Sequence, residues 1–127
     1  MSQSVLIVEN DPAILDQLCM YVKECEFKMH CAEDLESAMS KLRSHRQSIV
    51  IVNWKLPEDQ AREIIATIRE NHRMRRTHII VLSTQTGPTI VEAAMNTGAD
   101  DFFSMPIGAA ELRARLLWAS SRSQLLV

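Results

Sequence analysis

The sequence predicts a single α/β domain in which helices cover both faces of a parallel sheet. Short apolar runs alternate with segments whose apolar residues recur at helical spacing, five times each. The run at residues 49–52 is continuously apolar and β-branched, as in a strand buried on both faces. With 127 residues, 46% of them hydrophobic and 24% charged, the chain can bury one sizeable core.

The first half of the chain contains three predicted strands and two helices. Residues 5–8 form a short apolar strand. Asp11 and Pro12 follow, and a carboxylate cap with a proline in the first turn predicts a helix start. A weak strand is predicted around residues 27–31, and a second helix follows it. The third strand ends at Asn53, where the sheet opens into a loop.

The second half continues the alternation. A third helix follows Pro57, and residues 78–83 form another buried strand. A fourth helix stops at Gly98, a residue suited to the left-handed conformation after a helix. A short strand at residues 101–104 leads to a fifth helix. Its predicted core stripe consists of Ala109, Leu112, Leu116 and Ala119.

The charge distribution argues against nucleic-acid binding. The chain has 14 basic and 16 acidic residues, hence a net charge of -2. The one basic cluster, residues 72–76, follows a helical pattern and has no interleaved aromatic residues, so we interpret it as a solvated loop. The four histidines share no spacing, and we assign them no chemistry.

Cellular location is also constrained by composition. There is no long apolar run and no secretory segment, so we expect no membrane association. Cys19, Cys25 and Cys31 lack metal-ligand spacing and are interpreted as core or near-core thiols in a reducing compartment. The cytoplasm is the expected location.

The strand ends suggest a degenerate active site. In an open parallel sheet, functional residues collect at the carboxyl ends of the strands. These ends supply Glu9, Asn10, Asn53, Ser83 and Met105. Carboxylates in place of the two amides would suit Mg²⁺, and one of them could act as a nucleophile toward a phosphoryl group.

At this point the sequence resembles the receiver domain of bacterial two-component response regulators. The resemblance covers nearly the whole chain and rests on residues 5–12, 52–57, 80–83, 98–102 and 105–106. It implies a flavodoxin-like, doubly wound five-stranded sheet of strand order 2-1-3-4-5. It also implies a cis peptide bond before Pro106. We expect a receiver-like domain over residues 1–120, with residues 121–127 forming a tail or the start of a linker helix.

The departures from the family pattern lie in the active site. Asn53 occupies the position of the phosphoacceptor aspartate. Asn10 replaces one of the two metal-binding acids, and Glu9 keeps the other. Met105 replaces the lysine that contacts the phosphoryl group. Ala61 stands where the loop after the third strand usually has glycine.

These losses predict a domain without a catalytic residue and without a cofactor. Mg²⁺ would bind only if the remnant positions Glu9, Asn10 and Asn53 kept residual affinity. Two switch positions of the family survive as Ser83 and Phe102. In the alternative interpretation, the Ser83 hydroxyl is simply hydrogen-bonded at the end of a strand and Phe102 is an ordinary core residue.

The fifth helix carries a second stripe, opposite its core face. It consists of Ala110, Ala114, Trp118, Ser121 and Leu125, and it is small or apolar where a solvated face should be charged. We interpret it as a partner surface. The resemblance suggests a homodimer through the fourth helix, fifth strand and fifth helix. The alternative is a short helix with a frayed end.

Three functions remain open. The first is a pseudo-receiver, not an enzyme, that signals through contacts with a protein partner or an output domain. The second is a phosphorylatable receiver whose aspartate is replaced by Asn53, either naturally or by engineering. The third, a small flavodoxin-like enzyme or ligand-binding module, has no supporting set of residues in the sequence.

Overall fold

A computed structural model of the chain describes residues 3–125, and side chains at residues 3–122. Five strands and five α-helices alternate, as predicted. In chain order they are β1 (Ser4–Val8), α1 (Pro12–Lys23), β2 (Lys28–Ala32), α2 (Leu35–Ser44), β3 (Ile49–Asn53), α3 (Gln60–Glu70), β4 (His78–Ser83), α4 (Pro88–Thr97), β5 (Asp101–Ser104) and α5 (Ala109–Leu125). A short 3₁₀ turn, Pro57–Asp59, precedes α3.

All five strands are parallel and lie in the order β2-β1-β3-β4-β5. This confirms the predicted flavodoxin-like topology. The central strand β3 pairs with β1 through Val8 and Val52, and with β4 through Asn53 and Leu82. The chain changes direction across the sheet beside β1, so the carboxyl ends of β1 and β3 border the crevice typical of such folds.

The core consists of two layers, one on each face of the sheet. Val50 and Val52 face the layer under α2, α3 and α4, whereas Ile49 and Ile51 face the layer under α1 and α5. Successive strand side chains point to opposite faces, so a strand buried on both sides must be apolar throughout. This is why β3 is a continuous apolar run.

Two predicted helix boundaries are confirmed by their geometry. Asp11 caps α1, because its carboxylate accepts the backbone N–H groups of Ala13 at 2.9 Å and Ile14 at 3.4 Å. Gly98 follows α4 with φ of 130°. A Cβ at this glycine would lie 2.9 Å from Cγ of Arg69, so both the backbone conformation and the packing require glycine.

One detail differs from the expectations. Ala109 is exposed, because it is the first residue of α5 and lies before the helix settles on the sheet, whereas the rest of its predicted stripe is buried. Ala61 is buried in α3, and its spacing to Ile64 and Ile68 in the sequence is that of a helical core stripe. Helix α5 continues through residue 120 to Leu125, and the domain boundary near residue 120 remains a prediction. Residues 126 and 127 of the predicted tail lie outside the described residues.

The remaining expectations concern cysteines and membranes. Cys19, Cys25 and Cys31 are free and half-buried, and the sulfur atoms of Cys19 and Cys31 lie 3.3 Å apart. Burial raises the pKa of the Cys19 thiol to about 12. The Met105–Pro106 bond is cis. Within the described residues, no helix combines the length and apolarity needed to cross a bilayer.

Candidate functional site: a carboxylate held by an amide

The carboxyl edge of the sheet brings Glu9 and Asn53 into direct contact. Asn53 Nδ2 donates to both carboxylate oxygens of Glu9, at 3.0 Å to Oε1 and 2.9 Å to Oε2. Glu9 Oε2 also accepts the backbone N–H groups of Asn10 at 2.8 Å and Asp11 at 3.2 Å. Glu9 is only 2% exposed. These donors satisfy a buried carboxylate that would otherwise be costly to desolvate.

The orientation of the Asn53 amide is fixed from its other end. Asn53 Oδ1 accepts the backbone N–H of Lys55 at 2.9 Å. Rotating the amide by half a turn would place its nitrogen against this N–H donor and its oxygen against the Glu9 carboxylate. The hydrogen bonds of the amide with Lys55 and with Glu9 would then be replaced by repulsive contacts, so the amide presents its N–H groups to Glu9.

Backbone hydrogen bonds between neighbouring strands hold the site. Glu9 N–H donates to the carbonyl of Ala32 at 3.0 Å, and Trp54 N–H donates to Leu82 at 2.8 Å. Glu9 and Asn53 are therefore positioned by backbone bonds of the sheet at or next to each residue.

The side chains at the other two substituted positions take no part in this contact. Asn10 is exposed on the surface. Met105 donates its backbone N–H to the carbonyl of Ser83 at 2.8 Å, and its side chain packs against the core layer under α1 and α5. An apolar side chain therefore occupies this position, and it contributes no positive charge to the crevice.

The two candidate switch residues are both in structured surroundings. Ser83 is buried at 1% exposure, and its hydroxyl accepts the backbone N–H of Gln85 at 3.1 Å. Phe102 is half-buried and packs against the core layer under α2, α3 and α4. Ser83 has the satisfied hydroxyl of the simpler interpretation, and a switching role for either residue remains a prediction.

The donor set at the crevice does not match a magnesium site. Mg²⁺ is held in proteins through carboxylates at near-octahedral geometry. Here Glu9 is the one carboxylate of the three remnant positions, and both of its oxygens already accept the Asn53 amide N–H group. Nowhere in residues 3–122 do three or more His, Cys, Asp or Glu side chains form a group suited to a metal ion.

Comparison with known proteins decides the family. The family model described as "Response regulator receiver domain" matches residues 5–117. The chain belongs to the response regulator receiver domain family. It is thus a receiver domain of two-component signalling.

Curated relatives share this receiver domain at moderate identity. The KDP operon transcriptional regulatory protein KdpE of Escherichia coli (strain K12) is 31% identical over 119 residues, covering 94% of this chain and 52% of the relative. The phosphate regulon transcriptional regulatory protein PhoB of the same organism is 25% identical over 116 residues, covering 91% and 51%. The receiver chain spans about half the length of these relatives.

Solved structures share the fold. A CheY-like response regulator receiver domain protein from Methanospirillum hungatei JF-1 aligns with a TM-score of 0.90 at 16% identity, with full coverage of both chains. The signal receiver domain of a Luxo repressor protein from Vibrio parahaemolyticus aligns with a TM-score of 0.89 at 22% identity, covering 98% of this chain and 95% of the other. These similarities support the fold alone.

The predicted stripe on α5 of the receiver domain is exposed wherever its side chains are described. Ala110, Ala114, Trp118 and Ser121 all lie at the surface, and the side chain of Leu125 lies outside the described residues. Trp118 is 50% exposed, although its ring makes an edge contact with His78 at a centroid distance of 5.4 Å. The guanidinium of Arg122 lies 5.0 Å from the centre of the Trp118 ring. A half-exposed tryptophan with a flanking arginine has the composition of an interface anchor.

The stripe is divided between two sides of α5. Ala110 and Ala114 line a groove of about 390 Å³ between α5 and α1, together with Tyr21 and Leu117. Trp118 instead lies near β4, on the side where Arg115 bonds Asp101 of β5. Sequence analysis missed Leu117, which is 50% exposed. Its spacing of seven and three residues from the two alanines was the available signal.

Proposed function

We propose that this receiver domain signals through protein contacts without accepting a phosphoryl group. The observation that carries the proposal is the hydrogen-bonded pair of Glu9 and Asn53. In this pair the side chain at the phosphoacceptor position donates hydrogen bonds to the remaining acid of the site. The domain is then a docking module whose state is set by its partners.

The first argument for this function is chemical. Phosphoryl transfer to a side chain requires a nucleophile, and a carboxylate is a competent one. The Asn53 oxygen carries no formal charge, and it already accepts the backbone N–H of Lys55. Its nitrogen is committed to Glu9. No atom of this side chain is available for attack on a phosphoryl group.

The second argument concerns charge. Phosphoryl transfer relies on cations that stabilise the developing negative charge. Receiver domains typically bind Mg²⁺ at the phosphorylation site, but here the donor set does not fit the ion. Met105 also removes the cationic side chain of the family pattern. A phosphoryl group at this crevice would face the buried Glu9 carboxylate without compensation.

The partner surface of the proposal is the side of α5 that carries Trp118. This surface borders β5 through the Arg115–Asp101 contact at 3.4 Å. A homodimer through α4, β5 and α5 would bury the exposed tryptophan. Met95 of α4 is also 40% exposed and adds an apolar side chain to that element. A partner protein or an output domain, as in the longer relatives, is the alternative occupant.

The experiment that tests the proposal is intact-mass analysis after incubation with acetyl phosphate and Mg²⁺. The samples are the chain as given, Asn53→Asp, and the restored variant carrying Asn10→Asp, Asn53→Asp and Met105→Lys. We expect no phosphoryl adduct on the first two samples and an adduct on the third. Circular dichroism of each variant establishes that it is folded.

Two outcomes would overturn the proposal. An adduct on the chain as given would mean that another residue accepts the phosphoryl group. An adduct on Asn53→Asp alone would mean that Asn53 is the sole block. The second function, a phosphorylatable receiver with its aspartate replaced, would then be correct.

A further inference from the structure

A strongly basic groove lies at the edge of the sheet opposite the Glu9–Asn53 pair. Its walls are the carboxyl-terminal end of α2 with the segment after it, and the segment between α3 and β4. Both lead into the amino-terminal ends of strands, β3 and β4. The groove has a volume of about 800 Å³. Its basic lining residues are Arg43, His45, Arg46, His72, Arg73, Arg75 and Arg76.

The lining of this groove is cationic and contains no Asp or Glu. Among the described residues, the arginines that pair with carboxylates include Arg62, Arg69 and Arg115. Four of the groove arginines form no ion pair with a described residue, namely Arg43, Arg46, Arg73 and Arg75. The groove holds five of the 14 Lys and Arg residues of a chain whose net charge is -2. Charge is therefore concentrated here.

Stabilisation of helix ends does not account for the whole cluster. Arg43 lies in the last turn of α2, where a cation interacts favourably with the helix dipole. Arg73 and Arg75 lie beyond the end of α3 at Glu70, in the connecting segment. The dipole effect falls off within the last turn, so these two arginines need another explanation.

One wall of the groove is held by a half-buried arginine. Arg69 Nη1 donates to the carbonyls of Arg75 at 2.8 Å and Thr77 at 2.7 Å, and Nη2 bonds Asp100 at 2.6 Å. Asn71 adds a turn, because its carbonyl accepts the Arg75 N–H at 2.9 Å. The segment that presents the basic side chains therefore has a fixed backbone.

The two walls are also joined to each other. Thr77 Oγ1 donates to the carbonyl of Gln47 at 3.1 Å, and this bond is buried. Gln47 in turn bonds the ring of His30 at 3.0 Å, and that ring contacts His45 at a centroid distance of 4.2 Å. Because the groove is preformed, little ordering free energy is lost when a ligand binds, apart from that of the arginine side chains.

We propose that this groove binds a small anion that carries two or more linked phosphate groups. The planar guanidinium group matches phosphate oxygens in a bidentate manner, which makes arginine the preferred residue for phosphate recognition. The volume lies in the range of small-molecule sites. Several guanidinium groups from two walls suit a chain of phosphates better than a single one.

The same features argue against nucleic acid as the occupant. Single-stranded nucleic acids are bound by grooves that combine positive charge with aromatic side chains for base stacking. No Phe, Tyr or Trp lines this groove. The proposed site is independent of the proposed function. A phosphate-chain ligand would bridge the segments that precede β3 and β4. Its binding would therefore act on the domain from the end of the sheet remote from Asn53.

The test is isothermal titration calorimetry of the full chain with inorganic tripolyphosphate, and in parallel with a nucleoside triphosphate. The groove variant is Arg46→Gln with Arg73→Gln, one change in each wall. The control is Lys23→Gln with Arg113→Gln, which removes the same charge from exposed positions outside the groove. All four residues are exposed, so both variants should fold.

We expect saturable binding of one ligand, weakened by added salt. Loss of two charge-assisted contacts should weaken binding by at least about tenfold in the groove variant, and the control should match the wild-type chain. Absence of binding at millimolar ligand in low salt would overturn the proposal. So would an equal loss in both variants, or tighter binding of duplex DNA or anionic vesicles that depends on the groove arginines.

Discussion

Both carboxylate oxygens of Glu9 lie within 3.0 Å of the Asn53 amide nitrogen, and the amide oxygen is held by Lys55 N–H. The side chain at the phosphoacceptor position of the family is therefore a donor of hydrogen bonds, and the proposed function takes this as its loss of phosphoryl acceptance. The hydrogen bonds of the site are satisfied, because the Glu9 carboxylate accepts N–H groups where a metal site would instead have a cation.

The Asn53→Asp variant should be less stable than the wild-type chain in the absence of Mg²⁺. It places a second carboxylate against the buried Glu9 and removes a donor, a change that costs about 1–3 kcal/mol or more. Urea unfolding at neutral pH measures the difference. Asn10→Asp is the matched control, because this side chain is exposed and should change stability little. Equal stabilities of Asn53→Asp and wild type would contradict the account.

The Trp118→Glu variant should reduce self-association without unfolding the domain. A charged side chain in the centre of an interface must be desolvated, whereas at a half-exposed position of the monomer it stays in water. Light scattering over a range of concentrations measures this effect. Met20→Glu, at a 61% exposed residue of α1, is the control and should leave association unchanged. A wild-type chain that is monomeric at every concentration would rule out the homodimer.

The stability of the domain should decrease in mild acid because of His78. Burial holds the pKa of His78 below its usual value of 6.5, and Arg122 and Arg69 act in the same direction against the opposing effect of Asp100 and Asp101. The folded state therefore binds fewer protons than the unfolded state. Its stability is full above about pH 6.5 and is lost as the pH falls toward the lowered value.

This pH dependence can be assigned by comparing His78→Gln with the wild-type chain. Thermal unfolding between pH 8 and pH 5 should show a smaller loss of stability in the variant, because it lacks the group whose protonation differs between the two states. His30, whose pKa is also lowered by burial, contributes a similar loss in both proteins. If the two chains lost stability in parallel, His78 would not be the source.

Gly98→Ala should destabilise the domain by about 1–3 kcal/mol. The residue adopts φ of 130°, and a Cβ would come within 2.9 Å of Arg69 Cγ and disturb the bonds that Arg69 makes. Gly108→Ala is the internal comparison, because no atom lies within 4 Å of its Cβ position. Denaturant unfolding should place Gly108→Ala near the wild-type chain. Similar midpoints for both variants would refute the steric argument.

The fold could be predicted from the sequence because its signals are local. The apolar run of β3, the cap at Asp11 and the glycine after α4 each depend on neighbours a few residues away. The strand order came from the resemblance to the family and is confirmed. The exposure of Ala109 was missed, because helical spacing continues to the first residue of α5 whether or not the sheet extends beneath it.

The sequence predicted which residues form the site but not the hydrogen bonds between them. Sequence position placed Glu9 and Asn53 at adjacent strand ends, yet the direction of the amide depends on Lys55 N–H, a backbone group that no pattern reveals. The basic groove was interpreted as a solvated loop for a similar reason. Its second wall, with Arg43 and Arg46, lies some thirty residues earlier in the chain and meets the first only in the folded sheet.

The most direct test of the closed Glu9–Asn53 pair is a magnesium titration followed by nitrogen–proton correlation spectra of the wild-type chain. The account predicts no saturable shift of the backbone amides of residues 9, 10 and 53 at millimolar Mg²⁺, since the Glu9 oxygens are already bonded to N–H groups. A saturable shift confined to these amides would show that the pair opens to admit the ion, and would contradict the account.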